Sequence, residues 1–173
     1  KDIEIILPSE GTFADDFLAD TSAMTVKVGD FLSEDILENE TVRASASLRN
    51  MGYYEFSKNN FFFEADTLSC PDSAILKMTV NGYTRNETPD RTRTISRFTF
   101  NEVNISYPQT LKIREKILKE LTTIRPGETY STDVVNNTYT RLSSLRMFSS
   151  VNIGMTPVDS NKIDCRINLS QSK

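Results

Sequence analysis

Gly127-Glu128-Thr129-Tyr130-Ser131-Thr132-Asp133-Val134-Val135 restates, 98 residues later, the stretch Gly29-Asp30-Phe31-Leu32-Ser33-Glu34-Asp35-Ile36-Leu37. Further on, Leu142-Ser143-Ser144-Leu145-Arg146-Met147-Phe148 answers Leu48-Arg49-Asn50-Met51-Gly52-Tyr53-Tyr54 at an offset of 94. The second offset is shorter by four residues, about one turn of helix. Removing one turn leaves the same helix face toward the core, so both copies can keep one fold. A duplication of this length predicts two small domains of one type rather than one large core. Their expected bounds are 1–86 and 94–173, with a linker over 87–93 that has no apolar periodicity.

The second copy reads most clearly. Phe98, Phe100, Val103 and Ile105 predict a strand, and the phase shift between Phe100 and Val103 predicts a bulge. A helix is expected from Pro108, with Leu111, Ile117, Leu118 and Leu121 inward and Arg125-Pro126-Gly127 ending it. Ser131 or Thr132 can cap a second helix whose inner stripe is Val134, Val135, Tyr139, Leu142 and Leu145. Two strands follow, joined by a turn over Pro157-Val158-Asp159-Ser160-Asn161. In the last strand Ile163, Cys165, Ile167 and Leu169 alternate with Asp164, Arg166 and Asn168, so one sheet face is covered and one is wet.

The first copy repeats this order. Asp2–Leu7 is a strand, and 12–24 an irregular helix with Phe13, Phe17 and Leu18 inward. Residues 33–50 form a helix carrying Ile36, Leu37, Ala44 and Leu48 inward and ended by Gly52. Phe56–Ala65 and Ala74–Val80 form an antiparallel pair stopped at Asn81-Gly82. The order β-α-α-β-β predicts an α+β class: two tandem domains, each a three-stranded mixed sheet with two helices on one face. The first strand has no tight hairpin to its successor, so the last strand is expected between the other two. Two open sheet edges then remain per domain.

Composition narrows the function classes. The chain is 38% hydrophobic and 25% charged, ordinary for a globular protein, and its net charge of −4 offers no footprint for nucleic acid. There is no histidine, which removes the commonest general base and metal ligand. Cys70 and Cys165 are the only thiols and lie in different copies, too few and too far apart for a metal site. Cys165 reads as a core residue rather than half of a disulfide with Cys70. No carboxylates converge by helix or strand spacing, and Glu4, Glu34, Asp35, Glu38 and Glu40 read as solvent faces or helix starts. The expectation is therefore a non-enzyme with no cofactor and no metal. Asn39-Glu40-Thr41 and Asn136-Asn137-Thr138 match glycosylation sequons by chance. Arg85, Arg91, Arg93 and Arg97 read as a solvated linker cluster.

Gly127-x-x-Tyr130, then Leu142-x-x-Leu145-x-x-Phe148-x-x-Val151-x-Ile153, then an alternating last strand, resembles a POTRA (polypeptide-transport-associated) domain. Gly29, Leu48, Met51, Gly52-Tyr53-Tyr54 and Phe56 are similar to the same signature in the first copy. The resemblance is to the tandem POTRA arms of BamA/TamA-like outer-membrane assembly proteins. It implies a periplasmic location and a C-terminal membrane β-barrel of the same chain. It further implies unfolded outer-membrane protein chains and accessory assembly subunits as partners. Two other tasks fit the same fold: the arm of a two-partner-secretion transporter with one dedicated substrate, and a periplasmic scaffold with a single fixed partner.

Binding by such a domain needs no catalytic residue. An open strand edge offers unpaired N–H and C=O groups to which an extended client adds as another strand. The candidate edges are the penultimate strands: Val151, Asn152, Ile153, Gly154 and Met155 in the second copy, and Phe61, Phe62 and Phe63 in the first. The second is favoured because Ser149, Ser150, Asn152 and Gly154 leave it uncluttered. Phe61 and Phe63 are expected to turn inward with Ala65, and Phe62 to pack outside the sheet. Tyr53-Tyr54 is expected to be the packed end of a helix rather than a binding platform.

Overall fold

The computed structural model describes residues 2–8, 11–69, 72–81, 95–159 and 161–171. Cys70, the 87–93 linker, Gly82, Ser160 and the arginines at 85, 91 and 93 lie outside the described residues. The chain forms two compact units, one of residues 1–49 with 55–96, the other of residues 50–54 with 97–173.

In unit 1 the elements are β1 (Asp2–Ile6), α1 (Phe13–Asp20), a 3-10 turn (Thr21–Ala23), α2 (Glu34–Asn50), a 3-10 turn (Lys58–Asn60), β2 (Phe61–Asp66) and β3 (Ile75–Val80). The sheet order is β1-β3-β2, with β1 parallel and β2 antiparallel to β3. In unit 2 they are β4 (Thr99–Ser106), α3 (Glu115–Leu121), α4 (Thr132–Ser144), β5 (Phe148–Asp159) and β6 (Lys162–Gln171). Its order is β4-β6-β5, again with the last strand central and parallel to the first. Both sheets have the expected insertion of the last strand.

The helix-length difference is also as read from the offsets: α2 has 17 residues and α4 has 13, one turn fewer. Ser131 caps α4 by accepting from the Val134 N–H, as expected of a hydroxyl at that position. Gly52 and Gly127 both take positive φ, at +116° and +86°. A Cβ on Gly52 would also stand 2.6 Å from the Thr129 Cγ2, so this glycine is required by space as well as by angle.

Alternation in β6 is realised fully: Ile163, Cys165, Ile167 and Leu169 are buried against Phe98, Phe100, Leu118, Ile124, Tyr130 and Leu142. The β4 register slips between Phe100 and Val103, where the bulge was expected. Asp164 holds that bulge, accepting from the Asn101 Nδ2 at 2.9 Å and the Glu102 N–H at 3.2 Å. Cys165 is a buried, unpaired thiol that burial pushes up to about 11.

Several expectations are corrected. β2 begins at Phe61, not Phe56, because Ser57 and Asn60 form a reciprocal capping box around a 3-10 turn. Phe56 is still buried, its ring against Phe13 and Phe61. α3 begins at Glu115, not Pro108; the chain first makes a turn in which the Leu111 N–H bonds the Pro108 carbonyl. The predicted inward residues Leu18, Ile117 and Tyr139 are exposed, and Thr138 takes the inner place on α4. β5 runs on to Asp159, three residues into the expected turn.

Glu40 is the largest departure. It was expected on a solvent face and is 2% exposed. Its carboxylate accepts from the Thr25 N–H at 2.9 Å, the Thr25 hydroxyl at 2.7 Å, and the Arg43 Nε and Nη2 at 3.1 and 2.6 Å. Arg43 also bonds Asp20 at 3.1 Å, and Ser47 donates to Asp20 at 2.7 Å. Burial pushes the Glu40 carboxyl up, but the hydrogen bonds from Arg43 and Thr25 outweigh it, and the net direction is down. A buried charge is tolerable when it is paired and its lone pairs are filled.

Candidate functional site

β5 is an edge strand: it pairs with β6 on one side and has no second strand among the described residues. Its twelve residues make it the longest strand described. Val151, Ile153 and Met155 are half-buried against the unit 2 core, while Asn152 and Gly154 are exposed on the other face. Backbone direction follows from Pro157, which pairs with Ile163. Proline has no N–H, so within a sheet it sits where that group would face away from the ladder. Met155, Ile153 and Val151 are in phase with Pro157, so their N–H and C=O groups turn outward and those of Asn152 and Gly154 turn to β6.

The other predicted edge is β2, at the margin of the β1-β3-β2 sheet. It is half as long, six residues. Phe61 is buried, its ring centroid 6.2 Å from that of Phe63 in a stacked arrangement and 6.1 Å from Phe17. Phe63 is half-buried and Phe62 is 37% exposed. Ala65, expected inward with them, is exposed. Phe61 thus serves the core, and β2 offers a short margin.

The expectation of two open edges per domain is corrected in unit 2. The loop between α3 and α4 lies along the start of β4 as a short antiparallel partner. Phe100 donates its N–H to the Glu128 carbonyl at 2.9 Å and accepts from the Gly127 N–H at 2.7 Å. Tyr130 donates its N–H to the Phe98 carbonyl at 2.8 Å and buries its ring 5.7 Å from that of Phe100. The Gly-x-x-Tyr signature is therefore an edge closure. Tyr53 is buried, and Tyr54 sets its ring edge-on to Phe98 and Tyr130, which fits the packing role expected of the pair.

Past Phe100 this closure ends. Val103, Asn104 and Ile105, with α3 and the stretch 122–126, line a groove of about 650 Å³ that sequence reasoning did not find. Its only prior trace was the predicted bulge. No group of three or more His, Cys, Asp and Glu is placed to hold a metal among the described residues. None of the described helices is long and apolar enough to cross a membrane.

No family model matches the sequence, and no curated protein matches it. Solved structures do. BamA from Haemophilus ducreyi lacking POTRA domains 1–3 superposes with a TM-score of 0.70 at 12% identity, over 99% of this chain and 29% of that one. POTRA3–5 of Haemophilus influenzae BamA gives 0.60 at 14% identity, over 99% and 60%. POTRA1–2 of the periplasmic domain of Omp85 from Anabaena gives 0.56 at 9% identity, over 100% and 96%. The chain is a tandem pair of POTRA-fold modules. It spans less than two thirds of either BamA chain, and at these identities the likeness is one of fold.

Proposed function

We propose that this chain belongs to the periplasmic arm of an outer-membrane β-barrel assembly protein similar to BamA. In this reading it receives unfolded outer-membrane protein chains, or accessory assembly subunits, by β-augmentation, and the same polypeptide continues into a membrane barrel. The observation that carries the reading is the long open edge of β5, with Val151, Ile153 and Met155 turning their backbone groups outward. The POTRA fold shared with BamA and Omp85 supports the setting. Backbone pairing is tolerant of client sequence because every residue but proline carries the same donor and acceptor. Asn152 and Gly154 keep the exposed face of this edge small, so an incoming strand meets few side chains.

The test leaves the protein untouched. A ten-residue peptide of alternating apolar and polar residues is titrated into the labelled chain, alongside two versions N-methylated on alternate residues. Pairing along β5 uses only every second amide of the client. One methylated version should lose binding by more than about tenfold, the worth of one or two net backbone hydrogen bonds. The other should bind as the parent does, with shifts along 148–157. Equal binding by all three would contradict strand addition. Tight binding confined to one dedicated sequence would favour the two-partner-secretion task instead.

A further inference from the structure

We infer a second peptide-binding site, independent of the β5 reading, in the groove between the distal edge of β4 and α3. Its occupant is an extended protein segment that carries an acidic residue beside apolar ones. Backbone phase is the first reason. Phe100 pairs with Ile163 and turns its N–H and C=O outward, where Gly127 and Glu128 take them. Val103 pairs with Cys165 and Ile105 with Ile167, the same phase on β6, so they also face outward past the bulge. The loop that closes Phe100 has left the edge by then, and no strand covers Val103–Ser106 among the described residues.

The walls are the second reason. Val103, Ile105 and Ile124 supply apolar surface, and the volume of about 650 Å³ falls within the range that accepts ligands. Charge is the third. Five charged side chains line the groove, and four are paired: Lys119 with Glu115 at 2.8 Å and Lys116 with Glu120 at 3.8 Å. Arg125 is the remainder, exposed and with no ion pair among the described residues. The groove thus carries a net positive charge at the end nearest the loop. A strand laid on Val103 and Ile105 would place alternate side chains into the apolar walls and could present a carboxylate to Arg125.

Two blocked hexapeptides test this, each alternating leucine and threonine, one with a single glutamate and one with a single lysine in its place. Titrated into the isotope-labelled 173-residue chain, the glutamate peptide should shift the amide signals of 103–106 and of α3. Arg125→Glu should weaken it about fivefold and invert the preference between the two peptides, as expected for one exposed charge pair. Arg125 is exposed, so the fold should be unaffected, which the unchanged dispersion of the β6 signals would verify. Absence of shifts at 103–106, or equal affinities for both peptides and both proteins, would overturn the inference. Shifts confined to 148–157 would overturn it too, while leaving the β5 reading standing.

Discussion

Glu40 in unit 1 and Thr138 in unit 2 stand 98 residues apart, the offset of the repeat itself, and both are buried on the second helix of their unit. Each reaches back 15 residues to a threonine, and these two also stand 98 apart. Thr25 donates its N–H to Glu40 at 2.9 Å, and Thr123 donates its N–H to Thr138 at 3.0 Å. Hydroxyls of both threonines join in, at 2.7 and 2.8 Å. Beside them Val26 and Ile124 fill equivalent buried places. The repeated unit is therefore a polar pin as well as a hydrophobic pattern: a loop amide is satisfied by an acceptor buried in the core, and one helix position supplies that acceptor. Unit 1 uses a carboxylate, which then needs Arg43 and, through it, Asp20. Unit 2 uses a hydroxyl and needs no counter-charge.

This difference orders the expected effects of substitution. Glu40→Ala should be the most damaging, costing about 3 kcal/mol, because it removes a buried acceptor of four hydrogen bonds, leaving Arg43 with Asp20 alone and the Thr25 amide and hydroxyl without their partner. Native-state hydrogen exchange of β3 amides would report it, and a loss below about 1 kcal/mol would break the comparison. Gly52→Ala should cost unit 2 about 2 kcal/mol, since it combines positive φ with a clash on Thr129; urea unfolding followed at β6 amides measures this. Thr138→Val keeps the shape and removes the neutral pin, for about 1 kcal/mol at the same amides.

Acid should produce the smallest effect and separate the units. The Glu40 carboxyl lies below its ordinary value in the folded state, so its contribution is present above the unfolded value. That contribution is lost as pH falls through the folded one. Unit 1 protection should hold from neutral pH down to the ordinary glutamate value of about 4.3 and weaken only below it, while the Thr123–Thr138 pin does not titrate. Equal acid sensitivity of the two pins would show that the charge is incidental.

Much of the architecture was readable because it rests on periodicity. The two-residue alternation of Ile163, Cys165, Ile167 and Leu169, the phase slip after Phe100 and the hydroxyl at Ser131 each have one physical meaning, and each was realised. Charge at Glu40 misled, because a carboxylate on a helix is ordinarily solvated, and its partners lie across a loop rather than one turn away. Tyr139 misled for the converse reason: an aromatic was assigned inward when the small Thr138 beside it made the buried bonds. The closure of β4 by Gly127 and Glu128 was unreadable because it is made by backbone groups that every residue type shares. The β4 groove depends on where that closure stops, so it is hidden in the sequence for the same reason.

The claim that β5 takes up an extended strand is tested most directly by amide exchange along β5 with and without a bound client peptide. Added pairing should slow Val151, Ile153 and Met155, whose N–H groups face outward, and leave Asn152 and Gly154, already bonded to β6, unchanged. Uniform slowing of all five, or no change in any of them at saturating peptide, would contradict it.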